Sequence, residues 1–386
     1  MPVLFDSPRT VAGVMSGTSL DGIDVAIVRL DGTGLAMSMD VLATSSTPYP
    51  PVVVEELLRQ SDPGSSRVDL ISQLHARLAE LYADAIRTTA SDAGLLDDLD
   101  LIGCHGQTVF HIPEAEDCAG HPTRSTLQLG DGSVLANRLG VPVVCDFRTA
   151  DMALGGQGAP LVPYFDYVRF ADASERRVLL NLGGIANLTV LPAGAAPSDV
   201  FAFDTGPANI LLDLAARRFY DVPFDESGRR AATGTVQEPL LASWTTDPYF
   251  DLAPPKSTGR ELFNQGYLDR LLAASPELSP ADALATLAAF SADTVHEQFQ
   301  RFGQGPADVL IAAGGGVHHA PLMQRLRDRF AGTPIRTTTD YGVVADAKEA
   351  ICFAVLAHEY VNGTPTNLPS VTGASRPALL GKLCLV

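Results

Sequence analysis

The hydrophobic positions fall into short apolar runs and longer periodic stretches, a pattern that predicts an α/β protein. Residues 10–14 and 24–30 are apolar runs joined by a turn of small residues, which is typical of a β-hairpin. Further strands are predicted at 99–104, 141–145, 178–182, 186–190, 200–203, 309–313 and 335–338. Helical periodicity marks 52–59, 65–89, 207–219, 281–302, 321–330 and 345–361. Strands and helices therefore alternate along the whole chain.

The same order of elements occurs twice, which predicts two α/β lobes with a cleft between them. Each half opens with a strand, a turn containing glycine and a returning strand. The charged stretch 174–177 separates the halves, giving lobes at 1–175 and 176–386, with a C-terminal segment able to pack back on the first lobe. The polar stretch 116–126 is predicted as a surface loop, and 155–163 as a Gly/Pro-rich crossing.

Composition and charge narrow the class of protein. Hydrophobic residues make up 46% of the 386 positions, which is enough for a large core. A net charge of -18 argues against a nucleic-acid or anionic-membrane partner. The five cysteines are scattered and lack CxxC spacing, as in a reduced cytosolic protein. With neither a leader pattern nor a long apolar run, we expect a cytoplasmic protein.

Three glycine-containing turns that each follow an apolar strand are candidates for holding phosphates. Glycine and small hydroxyl residues leave backbone N–H groups open to an anion. The turns are MSGTSLDG at 15–22, Gly183-Gly184 and Gly314-Gly315-Gly316. Asp21 in the first turn is a candidate Mg²⁺ ligand. Each turn could also be an ordinary turn with glycine for conformational reasons, and the fingerprints GxxxxGK[ST] and GxGxxG are absent from the sequence.

Nine segments spread along the chain resemble one known family. They are MSGTSLDGID (15–24), CHGQTVFH (104–111), LQLGDGSVLA (127–136), DFRTADMALGGQGAPLVP (146–163), NLGGIANLT (181–189), FDTGPANILLD (203–213), PKSTGRELFN (255–264), AAGGGVHHAPLM (312–323) and the helix holding Glu349. The chain thus resembles the anhydro-N-acetylmuramic acid kinases of the actin/hexokinase/Hsp70 ATPase superfamily.

The resemblance implies a fold, a reaction and partners. The fold would be a two-lobed actin-like, ribonuclease H-like ATPase fold with an interlobe cleft. The reaction would consume 1,6-anhydro-N-acetylmuramic acid, ATP and water and give N-acetylmuramic acid 6-phosphate and ADP, a step of cell-wall recycling. The cofactors would be ATP and Mg²⁺, and the enzyme would be a homodimer.

Two carboxylates are the catalytic candidates. Asp204 follows the strand 200–203, where ligands of open α/β sheets are commonly met, and could accept a proton from the attacking water. Helix capping is its alternative role. Glu349 shares a helix face with Cys352 and Phe353 (together with Leu356), so it is expected to point inward and, by the resemblance, to position the water. The alternative is a solvated Glu near a helix N-terminus.

Several polar residues are candidates for the sugar. Arg148 could hold the lactyl carboxylate of the substrate, and an Arg148–Asp151 structural pair is the alternative. The loop PKSTGRE offers Lys256 and Arg260, unless it is only a solvated surface loop. The complete set of predicted substrate contacts is Gln107, Thr108, Arg148, Asp151, Lys256 and Arg260. His105 is interpreted as structural, and the adjacent pair His318-His319 is rejected as a zinc site.

The predicted nucleotide contacts come from the three turns, with the adenosine at the third. They are Ser16, Gly17, Thr18, Ser19, Leu20, Asp21, Gly22, Ile23, Gly183, Gly184, Gly314, Gly315 and Gly316. Two rival functions remain open: another kinase or phosphatase of the same superfamily, and a non-catalytic nucleotide-gated binding protein. A product without added water would favour the first rival over the anhydro-sugar kinase, and absence of ADP release would favour the second.

Overall fold

The computed structural model describes residues 8–273 and 275–386. These residues form two compact units, one reaching to Arg169 and resuming at Ala347–Val386, the other spanning Phe170–Asp346. The C-terminal segment therefore belongs to the first unit. No helix in the described ranges is both long and apolar enough to cross a membrane.

The elements alternate as follows along the chain. The first unit contains β1 (Arg9–Ser16), β2 (Gly22–Asp31), β3 (Ser38–Pro48), α1 (Pro51–Gln60), α2 (Val68–Asp92), β4 (Leu101–Cys118), β5 (His121–Leu129), α3 (Gly132–Leu139), β6 (Val143–Cys145), α4 (Thr149–Ala153) and α5 (Val162–Phe170). The second contains β7 (Arg177–Leu182), β8 (Ile185–Leu191), β9 (Phe201–Pro207), α6 (Asn209–Tyr220), α7 (Glu238–Trp244), α8 (Gln265–Ala273), α9 (Pro280–Phe302), β10 (Val309–Ala313), α10 (Ala320–Arg329) and β11 (Ile335–Thr337). The chain then adds α11 (Lys348–Val361), α12 (Pro369–Thr372) and β12 (Lys382–Cys384) to the first unit.

Both sheets are built in the same strand order. Within the described residues, the first runs β12-β6-β4-β1-β2-β3, with β5 on β4, and the second runs β11-β10-β7-β8-β9. In each sheet three antiparallel strands are followed by two parallel ones. This repeated order is the ribonuclease H-like arrangement, so the predicted fold class is confirmed.

Helix α11 lies directly on the central strands of the first sheet. Gly13 of β1 and Gly103 of β4 are neighbours in register. A Cβ on Gly13 would come within 1.9 Å of the Ala350 carbonyl oxygen, and one on Gly103 within 2.1 Å of the Phe353 carbonyl oxygen. Since only glycine allows so close an approach, these two positions fix where the first turns of α11 lie.

Two sequence predictions of local structure are wrong, and a strand was missed. The polar stretch 116–126 is the end of the β4–β5 hairpin rather than a loop, because its polar strands pair while staying exposed. Pro207 ends β9 instead of opening the next helix, which begins at Asn209. Strand β3 was not predicted at all: its half-buried residues Met39, Val41 and Ala43 alternate with exposed and mostly polar ones, so no apolar run marks it.

Candidate functional site

Asp204 lies within β9 of the second unit, opposite Asn187 of β8. The backbone N–H of Thr258 donates to Asp204 Oδ2 at 2.9 Å. The surrounding protein raises the pKa of Asp204 to about 7, chiefly because burial disfavours the charged form; the Thr258 hydrogen bond and Lys256 oppose the shift. A carboxyl that titrates near neutrality is matched to accepting a proton at physiological pH.

The loop after Tyr249 is tied to the backbone of Asp204. Tyr249 donates its hydroxyl proton to the Asp204 carbonyl oxygen at 2.8 Å, and Asp204 N–H donates to the Lys256 carbonyl oxygen at 3.1 Å. The Lys256 ammonium donates to Gln298 Oε1 at 2.6 Å and lies 4.5 Å from the centre of the Tyr249 ring. Burial lowers the pKa of Lys256 to about 8. This arrangement favours a structural role for Lys256, whereas Arg260 on the same loop is exposed.

The first glycine-containing turn connects β1 to β2. Its residues Thr18, Ser19 and Asp21 are exposed, and Leu20 adopts a positive φ of 63°. The side chain of Gln107 donates to the Gly17 carbonyl oxygen at 3.1 Å. The turn therefore presents hydroxyl groups and a carboxylate to solvent from a backbone anchored to β4.

Ser16 faces the interior behind this turn. Its hydroxyl is 2.9 Å from the Tyr82 hydroxyl, which in turn is 3.1 Å from that of Tyr49. Burial raises the pKa of Tyr49 to about 12, so the phenol stays protonated and able to hydrogen-bond. The buried Ser16 side chain thus supports the turn from behind.

The second and third glycine turns meet at the ends of β7 and β10, two parallel neighbours. The carbonyl oxygens of Gly183 and Gly184 accept backbone N–H groups at the start of α6. A Cβ on Gly316 would come within 2.6 Å of Leu182 Cβ, whereas one on Gly315 would meet nothing within 4 Å. Gly316 is therefore needed for packing, and Gly315 leaves open backbone on the surface.

Glu349 lies in the first turn of α11 in the first unit. Although its side chain is exposed to solvent, the surrounding protein partly desolvates the carboxyl and raises its pKa; Lys348 and Arg148 oppose this shift. The prediction that Glu349 points inward from an apolar helix face is wrong, since α11 is buried on all sides over Ala350–Glu359 and has no single apolar face. Glu349 is the exception at the helix start rather than one member of an apolar face.

Arg148, three residues after β6, forms a pair with His105, which lies inside β4 just past the point where β4 pairs with the end of β6. Arg148 Nε donates to His105 Nε2 at 3.0 Å, and Arg148 Nη1 donates to the Gly158 carbonyl oxygen at 2.8 Å. Burial and the Arg148 charge hold the pKa of His105 well below its usual range, so the ring is neutral. Burial lowers the pKa of Arg148 to about 10, which leaves the guanidinium charged at neutral pH.

Asp151 takes a different partner set from the one considered in the sequence. Its Oδ1 accepts from Asn367 Nδ2 at 2.8 Å and from Thr372 Oγ1 at 2.7 Å, and its Oδ2 accepts from the Gly158 N–H at 2.8 Å. Asp151 is fully buried. Asp151 therefore connects the Gly/Pro-rich crossing to the C-terminal segment. These residues are its partners, rather than Arg148 as the alternative in the sequence analysis had it.

The two histidines considered together have separate surroundings. His319 precedes α10, and its Nδ1 accepts from the Leu322 N–H at 3.3 Å, which makes it a helix cap. His318 is exposed, with its Nε2 3.7 Å from Asp346 Oδ2. Among residues 8–273 and 275–386, no group of three or more His, Cys, Asp or Glu side chains is arranged to hold a metal ion.

Each unit gathers part of the predicted site. The first holds the turn at 15–22, Gln107, Thr108, Arg148, Asp151 and Glu349; the second holds Asp204, both later glycine turns, Lys256 and Arg260. Sequence reasoning missed Thr258, because a backbone contact leaves no trace in side-chain pattern. It also missed Lys348, although the chain has only three lysines.

The chain is similar to known proteins over nearly its whole length. It matches the family model described as anhydro-N-acetylmuramic acid kinase over residues 9–385. The protein of that name from Salinibacter ruber is 55% identical over 382 residues, covering 98% of this chain and 96% of the relative. The chain belongs to this family. A further family member, from Caldanaerobacter subterraneus, is 41% identical over 384 residues, covering 98% of this chain and 97% of its own.

The anhydro-N-acetylmuramic acid kinase family and the kinase class predicted from the motifs are thus confirmed. Among solved structures, component A of (R)-2-hydroxyglutaryl-CoA dehydratase from Acidaminococcus fermentans is 12% identical with a TM-score of 0.48, covering 92% of this chain and 99% of that one. A ROK family glucokinase from Streptomyces griseus is 14% identical with a TM-score of 0.39, covering 91% and 99%. The fold assignment rests on the strand order of the two sheets.

Proposed function

We propose that this kinase opens 1,6-anhydro-N-acetylmuramic acid with water and phosphorylates it in the same reaction. A water molecule loses a proton to Asp204 and its oxygen bonds to C1 of the sugar. The bond between C1 and O6 breaks, O6 bonds to the γ-phosphorus of ATP, and ADP leaves. The products are N-acetylmuramic acid 6-phosphate and ADP. The observation that carries this proposal, beyond family membership, is a carboxyl whose pKa is raised to about 7.

The two carboxylates have different roles in this proposal. Asp204 acts as the general base because its pKa lies near the operating pH, where proton transfer is most efficient. Glu349, exposed at the start of α11, orients the water. Its neighbours Lys348 and Arg148 favour the ionised form, which is the form that accepts a hydrogen bond from water.

The nucleotide is proposed to lie on the three glycine-containing turns. The turns at 15–22 and Gly183-Gly184 would meet phosphates, and the open backbone at Gly315 would meet the adenosine. Asp21 fits a Mg²⁺ ion, because one exposed carboxylate leaves the other positions to phosphate oxygens and water, as Mg²⁺ prefers. Bound Mg²⁺ would neutralise phosphate charge.

The sugar contacts are proposed to divide into two groups. Arg148 carries a charge fixed in direction by His105 and Gly158, and it suits the lactyl carboxylate. Thr108 and the exposed Arg260 are further contacts. Gln107, Asp151 and Lys256 are already hydrogen-bonded internally, so they support the segments that bear these contacts.

The decisive experiment measures ADP release with anhydro-N-acetylmuramic acid against N-acetylmuramic acid. We expect a strong preference for the anhydro sugar and a product whose mass includes one water and one phosphoryl group. Asp204→Asn should lose activity by at least about a hundredfold, because the amide cannot accept the proton. Asp328→Asn, an exposed change in the same unit, is the matched control and should keep full activity. Equal turnover by the wild type and Asp204→Asn would refute the assigned base, and a product without added water would refute the hydrolytic step.

We also propose that the kinase works in the cytoplasm as a homodimer and serves the recycling of cell-wall sugars. The family resemblance supports all three statements. Light scattering on the purified protein tests the dimer, and a monomer at enzyme-assay concentration would refute it.

A further inference from the structure

A buried ion pair joins α11 to α5 at the start of α11. Lys348 Nζ is 2.6 Å from Asp166 Oδ1. Lys348 is 4% exposed and Asp166 is 2% exposed. Both residues belong to the first unit.

This position is unfavourable for a lysine on two counts. Removing an ammonium from water is unfavourable even after the protein relaxes, and its carboxylate partner only partly offsets this. Lys348 is also the first residue of α11, where the helix dipole disfavours a cation. A hydrophobic pair of similar volume would stabilise the fold as well or better. A local arrangement that weakens stability is expected where function requires it.

What distinguishes this place is the neighbouring Glu349. Lys348 and Arg148 both favour its charged form. The charged and titratable groups facing this region come from five elements or turns: Asp21 and Asp24 from the first turn and β2, Arg148 beside α4, Asp166 from α5, and Lys348 and Cys352 from α11. Glu349 and Asp21 are thus the exposed members of a charged cluster in which Lys348 is anchored to α5.

We propose that Lys348, anchored by Asp166, is a positioning residue that fixes the first turn of α11 and with it the direction of the Glu349 carboxylate. This inference rests on the proposed function, since it assigns the pair's role through the water that Glu349 orients. The pair does not touch the reacting atoms. It determines where the carboxylate lies rather than how tightly either substrate binds.

The test is the double variant Lys348→Met/Asp166→Leu, assayed by ADP release with anhydro-N-acetylmuramic acid. We expect a melting temperature equal to or above that of the wild type, because both charges of the pair are removed together. We expect kcat to fall about ten- to a hundredfold with little change in either KM, as a misplaced group costs rate. Lys348→Arg, which keeps the charge, should recover part of the lost kcat.

A double-mutant cycle with Glu349→Gln identifies the route of the effect. If the pair acts through Glu349, adding the two substitutions to Glu349→Gln should cost little further rate. A wild-type kcat in the double variant, or a loss of rate that simply adds to that of Glu349→Gln, would overturn the inference. If the wild-type protein itself releases no ADP with the anhydro sugar, the proposed function fails first and the inference with it.

Discussion

At the scale of single residues, the folded protein buries the Asp204 carboxyl in surroundings that disfavour its charge, which lowers the free energy of unfolding at neutral pH. The pKa of Asp204 is raised to about 7, while an unfolded chain holds a carboxyl near its ordinary value of about 3.9. The identity of this residue was predictable, because it follows the predicted strand 200–203, although β9 continues past it to Pro207. Its raised pKa was not, since it depends on burial by distant parts of the chain, which outweighs the opposing Thr258 hydrogen bond.

The raised pKa makes stability depend on pH in a definite direction. Between about pH 4 and pH 7 the folded protein binds more protons at this site than the unfolded chain, so this carboxyl destabilises the fold increasingly as pH rises. Asp204→Asn removes that contribution. We expect the variant's gain in melting temperature over the wild type to be larger at about pH 8 than at about pH 5. Asp328→Asn should show no such trend, and an Asp204→Asn gain independent of pH would contradict the raised pKa.

At the scale of elements, the sequence predicted most strands and the helices of ten or more residues, but it missed the shorter helices α3, α4, α5, α7, α8 and α12. Strand β3 has no continuous apolar run, and the outer part of the β4–β5 hairpin is polar and exposed, so apolar runs alone could not mark them. Helix α11 was predicted, yet its burial on all sides was not, because that burial follows from Gly13 and Gly103 in distant strands. The hydrophobic pattern of a segment indicates whether it is a helix or a strand. The elements packed around it determine which of its side chains are exposed to water.

The third glycine turn offers a comparison between adjacent residues. Gly315→Ala places its methyl in open space, so we expect an unchanged melting temperature and a raised KM for ATP if the adenosine lies there. Gly316→Ala presses against Leu182, and overpacking of this kind costs about 1–3 kcal/mol. Thermal melts and ATP titrations of both variants check this. A Gly315→Ala enzyme with a normal KM for ATP would place the nucleotide elsewhere.

At the scale of the whole molecule, the chain builds the same sheet twice with different strand sequences. Each sheet consists of a hairpin followed by parallel strands. The repeated order of strand, glycine-containing turn and returning strand in the sequence predicted this duplication. The return of the chain to the first unit was expected only as a C-terminal segment able to pack back. Its start at Ala347 was not predicted, because α11 and β12 look like ordinary continuations of the second unit.

The two units can be followed separately in one unfolding experiment. The single tryptophan of the sequence, Trp244, is buried in the second unit. Gly13→Ala forces α11 off the first sheet, so we expect a lower denaturation midpoint by far-UV circular dichroism with an unchanged midpoint by Trp244 fluorescence. Gly315→Ala is the control, and a fall in both midpoints by the same amount would mean that the units unfold together.

The return of the chain to the first unit at Ala347 also sets the order in which the two units can fold during synthesis. On the ribosome, the first sheet emerges early but lacks the helix that covers its glycine groove, while Phe170–Asp346 is one continuous stretch. The second unit can therefore complete its fold during translation, before the first. The first unit cannot complete its fold until α11 has been synthesised, and until then the groove that α11 covers is exposed. Nascent-chain chaperones can bind this groove during that interval.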